Sequence, residues 1–510
     1  MIHGDLLGER ARVSPERTAL VTVTDGRRYS YRELDQRAVG CARMWLYGLG
    51  LRPGERVAIL SGNRVELLDA FFAAGKSGVV LVPLNTRYTA NELELIVHDC
   101  GPRALVYAGE HRAVVRRLRS RVEVDFWLAL DEPDRDDDLH FGEMVLTRGA
   151  GVSVHRRCRP EDPYCLLYTS GTTGRPKGVI TPHRQVAWNA YNTAACWQLS
   201  ETDCSSIFTP LYHAGGLGAF LTPLISVGGR LVVHAAFDAA EAWRVMEQEG
   251  CTVVLGVPTI WKLLADAPEF QTVDLSRVRW LISGGAPLPK HLIEVYRRRG
   301  VVLRQGYGLT EVGVNCFTMT DEEAYTKAGS VGRPMMFTEA KVVSESGQEL
   351  PAGEVGELCF RGPHVSSGYW NNRQATAEVY DSQGWFHTGD MALRDDDGFF
   401  FIAGRSKDMF ISGGVNVYPA EIENQLLQHP DLRDAAVVGA ADETWGEVGV
   451  AFVVPREGVE IDTAGLTEFL GARLARYKVP KRFVAVGELP RTPYGKVVKA
   501  ELAKLLAGGD

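Results

Sequence analysis

Short apolar runs separated by polar, glycine-rich connections dominate the first half of the chain. Val57-Ala58-Ile59-Leu60, Val79-Val80-Leu81-Val82, Ala104-Leu105-Val106-Tyr107 and Phe126-Trp127-Leu128-Ala129-Leu130 read as strands. Between the first two, residues 64–76 place Leu67, Leu68, Phe71 and Phe72 at helical spacing and predict a helix. Further strands are expected at 231–233, 252–255 and 280–282, and a helix at 259–267, after a strand and Pro258. Strands alternating with helices predict an α/β fold, multi-layered, with largely buried sheets.

The texture changes past about residue 340. Glycine-rich turns there punctuate short strands, as in Gly353-Glu354-Val355-Gly356-Glu357-Leu358 and Asp395-Asp396-Asp397-Gly398-Phe399-Phe400-Phe401-Ile402. The last hundred residues predict a compact α+β unit with helices at 419–428 and 463–476 and strands at 435–439 and 448–454. A boundary falls near 404–407, giving a large domain over 1–404 and a small one over 405–510. The acidic stretch 131–138 (DEPDRDDD) reads as a solvated surface loop.

Composition narrows the function. The chain has 510 residues, 45% hydrophobic and 24% charged, with a net charge of -8. Those are ordinary globular values, and they argue against a basic nucleic-acid-binding surface. No apolar run reaches the ~18 residues that span a bilayer, and the first residues lack a basic segment followed by an apolar one. The nine cysteines are scattered without Cys-x-x-Cys pairs, which favours a reducing, cytoplasmic setting over a disulfide framework or a zinc site.

Residues 168–178 read Tyr-Thr-Ser-Gly-Thr-Thr-Gly-Arg-Pro-Lys-Gly and follow the apolar run Cys165-Leu166-Leu167-Tyr168. Glycines let backbone N–H groups approach an anion, Thr169, Ser170, Thr172 and Thr173 add neutral donors, and Lys177 adds a mobile cation. A polyphosphate is the ligand this pattern suits. The spacing matches neither the P-loop nor the dinucleotide fingerprint.

This segment resembles the signature loop of the adenylate-forming superfamily, which includes acyl-CoA synthetases, firefly luciferases and peptide-synthetase adenylation domains. Five further motifs of that superfamily stand in the expected order. They are Ser283-Gly284-Gly285-Ala286-Pro287-Leu288-Pro289, Gln305-Gly306-Tyr307-Gly308-Leu309-Thr310-Glu311 and Trp385-Phe386-His387-Thr388-Gly389-Asp390. Gly404-Arg405-Ser406-Lys407-Asp408 through Gly413-Gly414 comes next, and Pro490-Arg491-Thr492-Pro493-Tyr494-Gly495-Lys496 closes the set. The resemblance covers essentially the whole chain and implies a large adenylate-forming domain followed by a small mobile one.

It also implies an AMP-forming acyl-CoA ligase. ATP and a carboxylic acid give acyl-AMP and pyrophosphate, and CoA then takes the acyl group. Thr169, Ser170, Gly171, Thr172, Thr173, Gly174 and Lys177 would hold phosphates. Gly284, Gly285 and Ala286 would lie against adenine, with Gln305, Gly306 and Gly308 in the same nucleotide site and Tyr307 offering a ring for stacking. Asp390 would accept from the ribose hydroxyls and Arg405 would touch ribose and phosphate. Thr310 would donate to a phosphate oxygen and Glu311 would hold Mg2+. Lys496 would bridge the carboxylate and the α-phosphate, Lys407 would be the hinge, and Gly413 and Gly414 would let the CoA thiol pass. His387 is expected to sit behind the site or simply pack.

For the acyl pocket the resemblance points to His213 as a gate and to Gly313, Val314 and Asn315, with Val312, Cys316 and Phe317, as wall. These are mostly small and apolar, and no arginine stands out to pair with a second carboxylate, so a fatty or aryl monocarboxylic acid is expected. The expected partners are that acid and CoA, with a homodimer allowed. Two rivals share the scaffold: a stand-alone adenylating enzyme that loads a carrier protein, and a non-catalytic nucleotide-binding homologue.

Overall fold

The computed structural model describes residues 4–147, 154, 158–169, 176–412, 415–492 and 495–507. A seven-stranded sheet runs in the order Leu139–His140, Phe126–Ala129, Ala104–Tyr107, Arg56–Leu60, Val80–Pro83, Pro163–Thr169, Lys177–Pro182. The first six strands are parallel and the last pairs antiparallel, so Thr169 faces Lys177 across a hairpin. The helix expected at 64–76 is Val65–Ser77, and it ends where Gly78 turns left-handed at φ 72°. It is buried at almost every position, which matches its mostly apolar sequence (Phe71, Phe72, Ala73, Ala74).

A second group of parallel strands carries the nucleotide motifs. Val253–Gly256, Trp280–Ser283 and Leu303–Gln305 pair so that Gly256, Ser283 and Gln305 stand level at their carboxyl ends. Thr252 joins this sheet to a neighbouring one, its N–H donating to the Cys204 carbonyl at 2.8 Å. An antiparallel sheet follows, Glu339–Val343, Gly356–Arg361, Phe386–Arg394 and Phe400–Arg405, with Asp390 directly opposite Arg405.

The C-terminal lobe has its own five-stranded sheet, built on the long hairpin Leu432–Asp442 and Gly446–Pro455. Ile422, Leu426, Leu466 and Leu470 pack on one face of it, and Leu489 and Leu502 on the other. The helix expected over 463–476 stops at Gly471, a residue that costs a helix about 1 kcal/mol relative to alanine, and a short turn at Arg476–Lys478 follows.

The acidic run at 131–138 differs from its expected solvated form. Asp138 is buried and accepts from the Tyr107 hydroxyl and Arg119, Asp134 pairs with Arg116 at 2.6 Å, and Asp131 accepts from the Gly109 N–H at 2.8 Å. The basic helix Arg112–Arg119 lies over these carboxylates, so the charge run is half of an ion-pair layer; Asp136 and Asp137 remain exposed. Among the described residues, no helix is long and apolar enough to cross a membrane.

Candidate active site

The motifs scattered over more than 300 positions converge because strand ends place them. Gly284, Gly285 and Ala286 leave the carboxyl end of Trp280–Ser283, and Gly306 leaves that of Leu303–Gln305, the edge at which open parallel sheets bind ligands. Gln305 holds the two loops together, its Oε1 accepting from the Leu288 N–H at 3.3 Å. Two glycines here are enforced by space. A Cβ on Gly306 would come within 2.9 Å of the Ile282 side chain, and one on Gly308 within 2.3 Å of the Val314 backbone carbonyl. That close approach folds residues 307–316 into a tight turn, closed by Leu309 N–H to the Gly313 carbonyl (3.1 Å) and Cys316 N–H to the Tyr307 carbonyl (3.1 Å). The turn presents Tyr307, Thr310 and Glu311.

Tyr307 serves two ends at once. One face of its ring packs on Phe360 at 6.0 Å, within an apolar cluster, and its hydroxyl donates to Asp390 at 2.6 Å. Burial pushes the phenol well up, and the Asp390 carboxylate adds to the shift. Asp390 is 4% exposed and pairs with Arg405 Nε at 2.8 Å, so both of its oxygens already have donors. Behind it, Glu357 accepts from the Gly389 N–H and from His387 Nδ1, each at 2.8 Å, and so fixes the Gly389–Asp390 turn. His387 sits in the supporting network, as expected.

Glu311 and Lys177 meet through Tyr369, which the motif reading missed. The Tyr369 hydroxyl donates to Glu311 Oε1 at 3.0 Å, and the Lys177 ammonium lies 5.0 Å from the centre of the Tyr369 ring. The available signal was a glycine just before an aromatic pair, Gly368-Tyr369-Trp370; the structure turns Gly368 left-handed at φ +98° and presses it against Thr376. Glu311 is half-buried, and desolvation raises its carboxyl despite help from its own N–H, Tyr369 and Arg405. A partly desolvated carboxylate with so little compensation suits a cation. Ser170, Gly171, Thr172, Thr173 and Gly174, and likewise Gly413 and Gly414, lie outside the described residues.

A narrow cavity opens beside this turn. Thr310, Gly313 and Val314 form one wall, and Phe71, Leu167 and Leu217 contribute apolar surface. The expected wall is thus corrected at several positions. Asn315 does not line the cavity; its amide is buried and donates to Thr193 Oγ1 and the Ala219 carbonyl, both at 3.0 Å. Val312, Cys316 and Phe317 point the other way, into the cluster around Phe360. The tight turn sends Gly313 and Val314 to the cavity and the residues on either side of them to the core, so a run of six neighbours cannot all face one side. Trp197 and Met246 fill cores, and Trp188 packs on Phe337. His213 itself is not on the wall, though its neighbour Ala214 is. Burial, helped by the charge of Arg87, holds the His213 imidazole down to about 4, so it is neutral near pH 7.

Lys496 reaches this region from the small lobe. A Cβ on its neighbour Gly495 would lie 3.0 Å from Thr259 Oγ1 of the large lobe. The amine stays accessible, yet its pKa is lowered, first by desolvation and then by Arg405, against the opposing pull of Asp390 and Asp408. Lys407 lies in the short turn Ser406–Asp408, immediately after the strand that ends at Arg405. Trp445 is exposed, with the Lys481 ammonium 5.9 Å from its ring.

Comparison with known proteins agrees with this geometry. The family model described as AMP-binding enzyme matches residues 7–370, and that of the AMP-binding enzyme C-terminal domain matches 421–496. A feruloyl-CoA synthase from Amycolatopsis is 40% identical over 499 residues, covering 97% of each chain. An indoleacetate–CoA ligase from Aromatoleum aromaticum is 39% identical and covers 88% of each. The crystal structure of ATP-bound MatB from Rhodopseudomonas palustris superposes with a TM-score of 0.90 at 30% identity, over 99% of both chains. The chain belongs to the AMP-binding enzyme family, the adenylate-forming superfamily expected from its motifs, and is an AMP-forming acyl-CoA ligase.

Proposed function

We propose that this ligase activates an aryl or fatty monocarboxylic acid, with the residues above in the following roles. Residues 169–177 and Thr310 bind the phosphates of ATP, and Lys177 draws charge toward the departing pyrophosphate. Gly284, Gly285 and Ala286 lie against adenine, the open side of Tyr307 stacks on it, and Asp390 and Arg405 hold the ribose. Glu311 would hold Mg2+, which neutralises phosphate charge when bound; the partial desolvation and raised pKa of this carboxyl fit that use. Lys496 aligns the acid carboxylate with the α-phosphorus. A carboxylate oxygen forms the new bond to phosphorus as the bond to pyrophosphate breaks. The small domain, residues 405–510, then turns about Lys407, takes Lys496 away and brings Gly413 and Gly414 to the site. The CoA thiol gives up its proton and attacks the acyl carbonyl, and AMP leaves.

The observation that supports this reading is that the amine of Lys496, carried by the small lobe, feels the charges of Asp390 in the large one and of Arg405 at the boundary, where Tyr307 and Arg405 both bond Asp390. The preference for a monocarboxylate rests on the cavity: among the described residues, no lysine or arginine lines it to receive a second carboxylate. Feruloyl-CoA synthase and indoleacetate–CoA ligase, by their names, act on aryl acids, which agrees with this choice. The test is pyrophosphate–ATP exchange and thioester formation over a panel of mono- and dicarboxylic acids. Exchange with monocarboxylates and CoA-dependent release of AMP are expected. Transfer to a carrier protein but not to CoA, or a preference for dicarboxylates, would refute the reading.

A further inference from the structure

The antiparallel pair Gly356–Arg361 and Phe386–Arg394 brings three metal-ligating side chains to one face. Residues two apart on a strand share a face, so Glu357 and Cys359 point one way while Leu358 and Phe360 enter the apolar cluster on the other. The register sets His387 directly opposite Cys359. The ligand atoms of Glu357, Cys359 and His387 all lie within 4.8 Å of one another. His387 Nδ1 stands at the centre of the group, 2.8 Å from Glu357 Oε2 and 3.4 Å from Cys359 Sγ.

A carboxylate oxygen, an imidazole nitrogen and a thiolate sulfur are the donors that zinc takes. Around a tetrahedral ion with bonds of about 2.0–2.3 Å, donors stand about 3.4–3.6 Å apart, so only the Glu357–His387 contact has to open. Asp381 Oδ2 lies 3.9 Å from His387 Nε2, on the far side of the ring, where a carboxylate steadies a metal-bound imidazole. Val343 and Trp385 form an apolar backing with Cys359. Burial and the Glu357 charge push the Cys359 thiol up to about 12, with Lys341 opposing, so the sulfur keeps its proton until an ion replaces it and the proton leaves to solvent. The side chains of His387 and Glu357 are 26% and 30% exposed, which gives an ion its way in. Three protein ligands leave a fourth position to water, the mark of an exchangeable ion.

We propose that Glu357, Cys359 and His387 form a site for one thiophilic divalent cation of the zinc class, separate from Glu311, and that filling it weakens ATP binding. The second half rests on the role given to Asp390 above. From Glu357↔Met391 to Cys359↔His387 one strand moves two positions and the other four, so residues 388–390 bulge out of the ladder and carry Asp390 with them. Glu357 Oε1 holds that bulge by accepting from the Gly389 N–H at 2.8 Å. Parting Glu357 from His387 around an ion shifts both anchors of the Asp390 turn.

The experiment titrates the nucleotide-free, chelator-treated enzyme with Co2+. One equivalent should raise a thiolate-to-cobalt charge-transfer band, and Zn2+ should displace it. Cys359→Ser should abolish the band, and His387→Gln, which keeps a donor toward Glu357, should weaken Co2+ binding by about 100-fold or more. Wild type preloaded with one equivalent of Zn2+ is then assayed by pyrophosphate–ATP exchange in excess Mg2+, a reaction that needs no CoA thiol. Its KM for ATP should rise by about fivefold or more, and that of Cys359→Ser treated alike should not. Absence of the band in wild type, or a band unmoved by both variants, would overturn the site and leave an ion pair beside a buried thiol. An unchanged KM for ATP in the loaded wild type would overturn the coupling. Neither result touches the ligase reading, which fails only where no acid supports exchange.

Discussion

Replacing Lys496 by alanine should separate the two halves of the reaction. The charges that act on its amine include Arg405, Lys407, Asp390 and Asp408. Two cations and two anions cancel, and Arg405 is already committed to Asp390 through Nε at 2.8 Å. In the proposed role, Lys496 therefore supplies the net positive charge where a carboxylate must approach a phosphate. Loss of one such preorganised group costs about 10²–10³ in rate, or about 2.7–4 kcal/mol. Pyrophosphate–ATP exchange should fall by that factor in Lys496→Ala, while synthetic acyl-AMP still reacts with CoA at close to the wild-type rate. The side chain is accessible, so the thermal melt should move little. Because the amine's pKa is lowered, its cation is lost as pH rises through a value below that of a free lysine. Exchange should accordingly decline on the alkaline side, and that limb should be absent from the thioester half-reaction. A folded mutant in which both half-reactions fall equally would refute the role given to Lys496.

Two further outcomes are expected. Tyr307→Phe keeps the ring but removes a 2.6 Å donor from a buried carboxylate, so it should lower unfolding free energy by about 1.5–3 kcal/mol, read in a denaturant melt. The KM for ATP should rise less than in Tyr307→Leu, which loses the stacking face as well; equal KM changes would count against stacking. Asn315→Ala gives up two buried hydrogen bonds and should destabilise by about 1–3 kcal/mol, with the order of preference among acids unchanged, as measured by melt and by a kcat/KM panel.

The sequence by itself determined the fold class, the elements and the nucleotide chemistry. Apolar period and length marked the strands at 57–60, 104–107 and 280–282 and the helix at 64–76, because burial in parallel layers demands near-continuous apolar runs whatever the neighbours are. The motifs were legible because their glycines, hydroxyls and charges stand in a fixed order along the chain. Tertiary structure alone decided which way each side chain faces and what it meets. Asn315 and Val314 are adjacent in sequence, yet one ties elements together inside the core and the other lines the cavity, because the turn closed at Gly308 alternates their directions. Tyr369 joins Lys177 to Glu311 only through packing of segments nearly 200 positions apart. The run at 131–138 acquired its ion-pair partners from a helix laid over it. Whether a threonine or an amide is satisfied depends on neighbours in space, which no local pattern along the chain specifies.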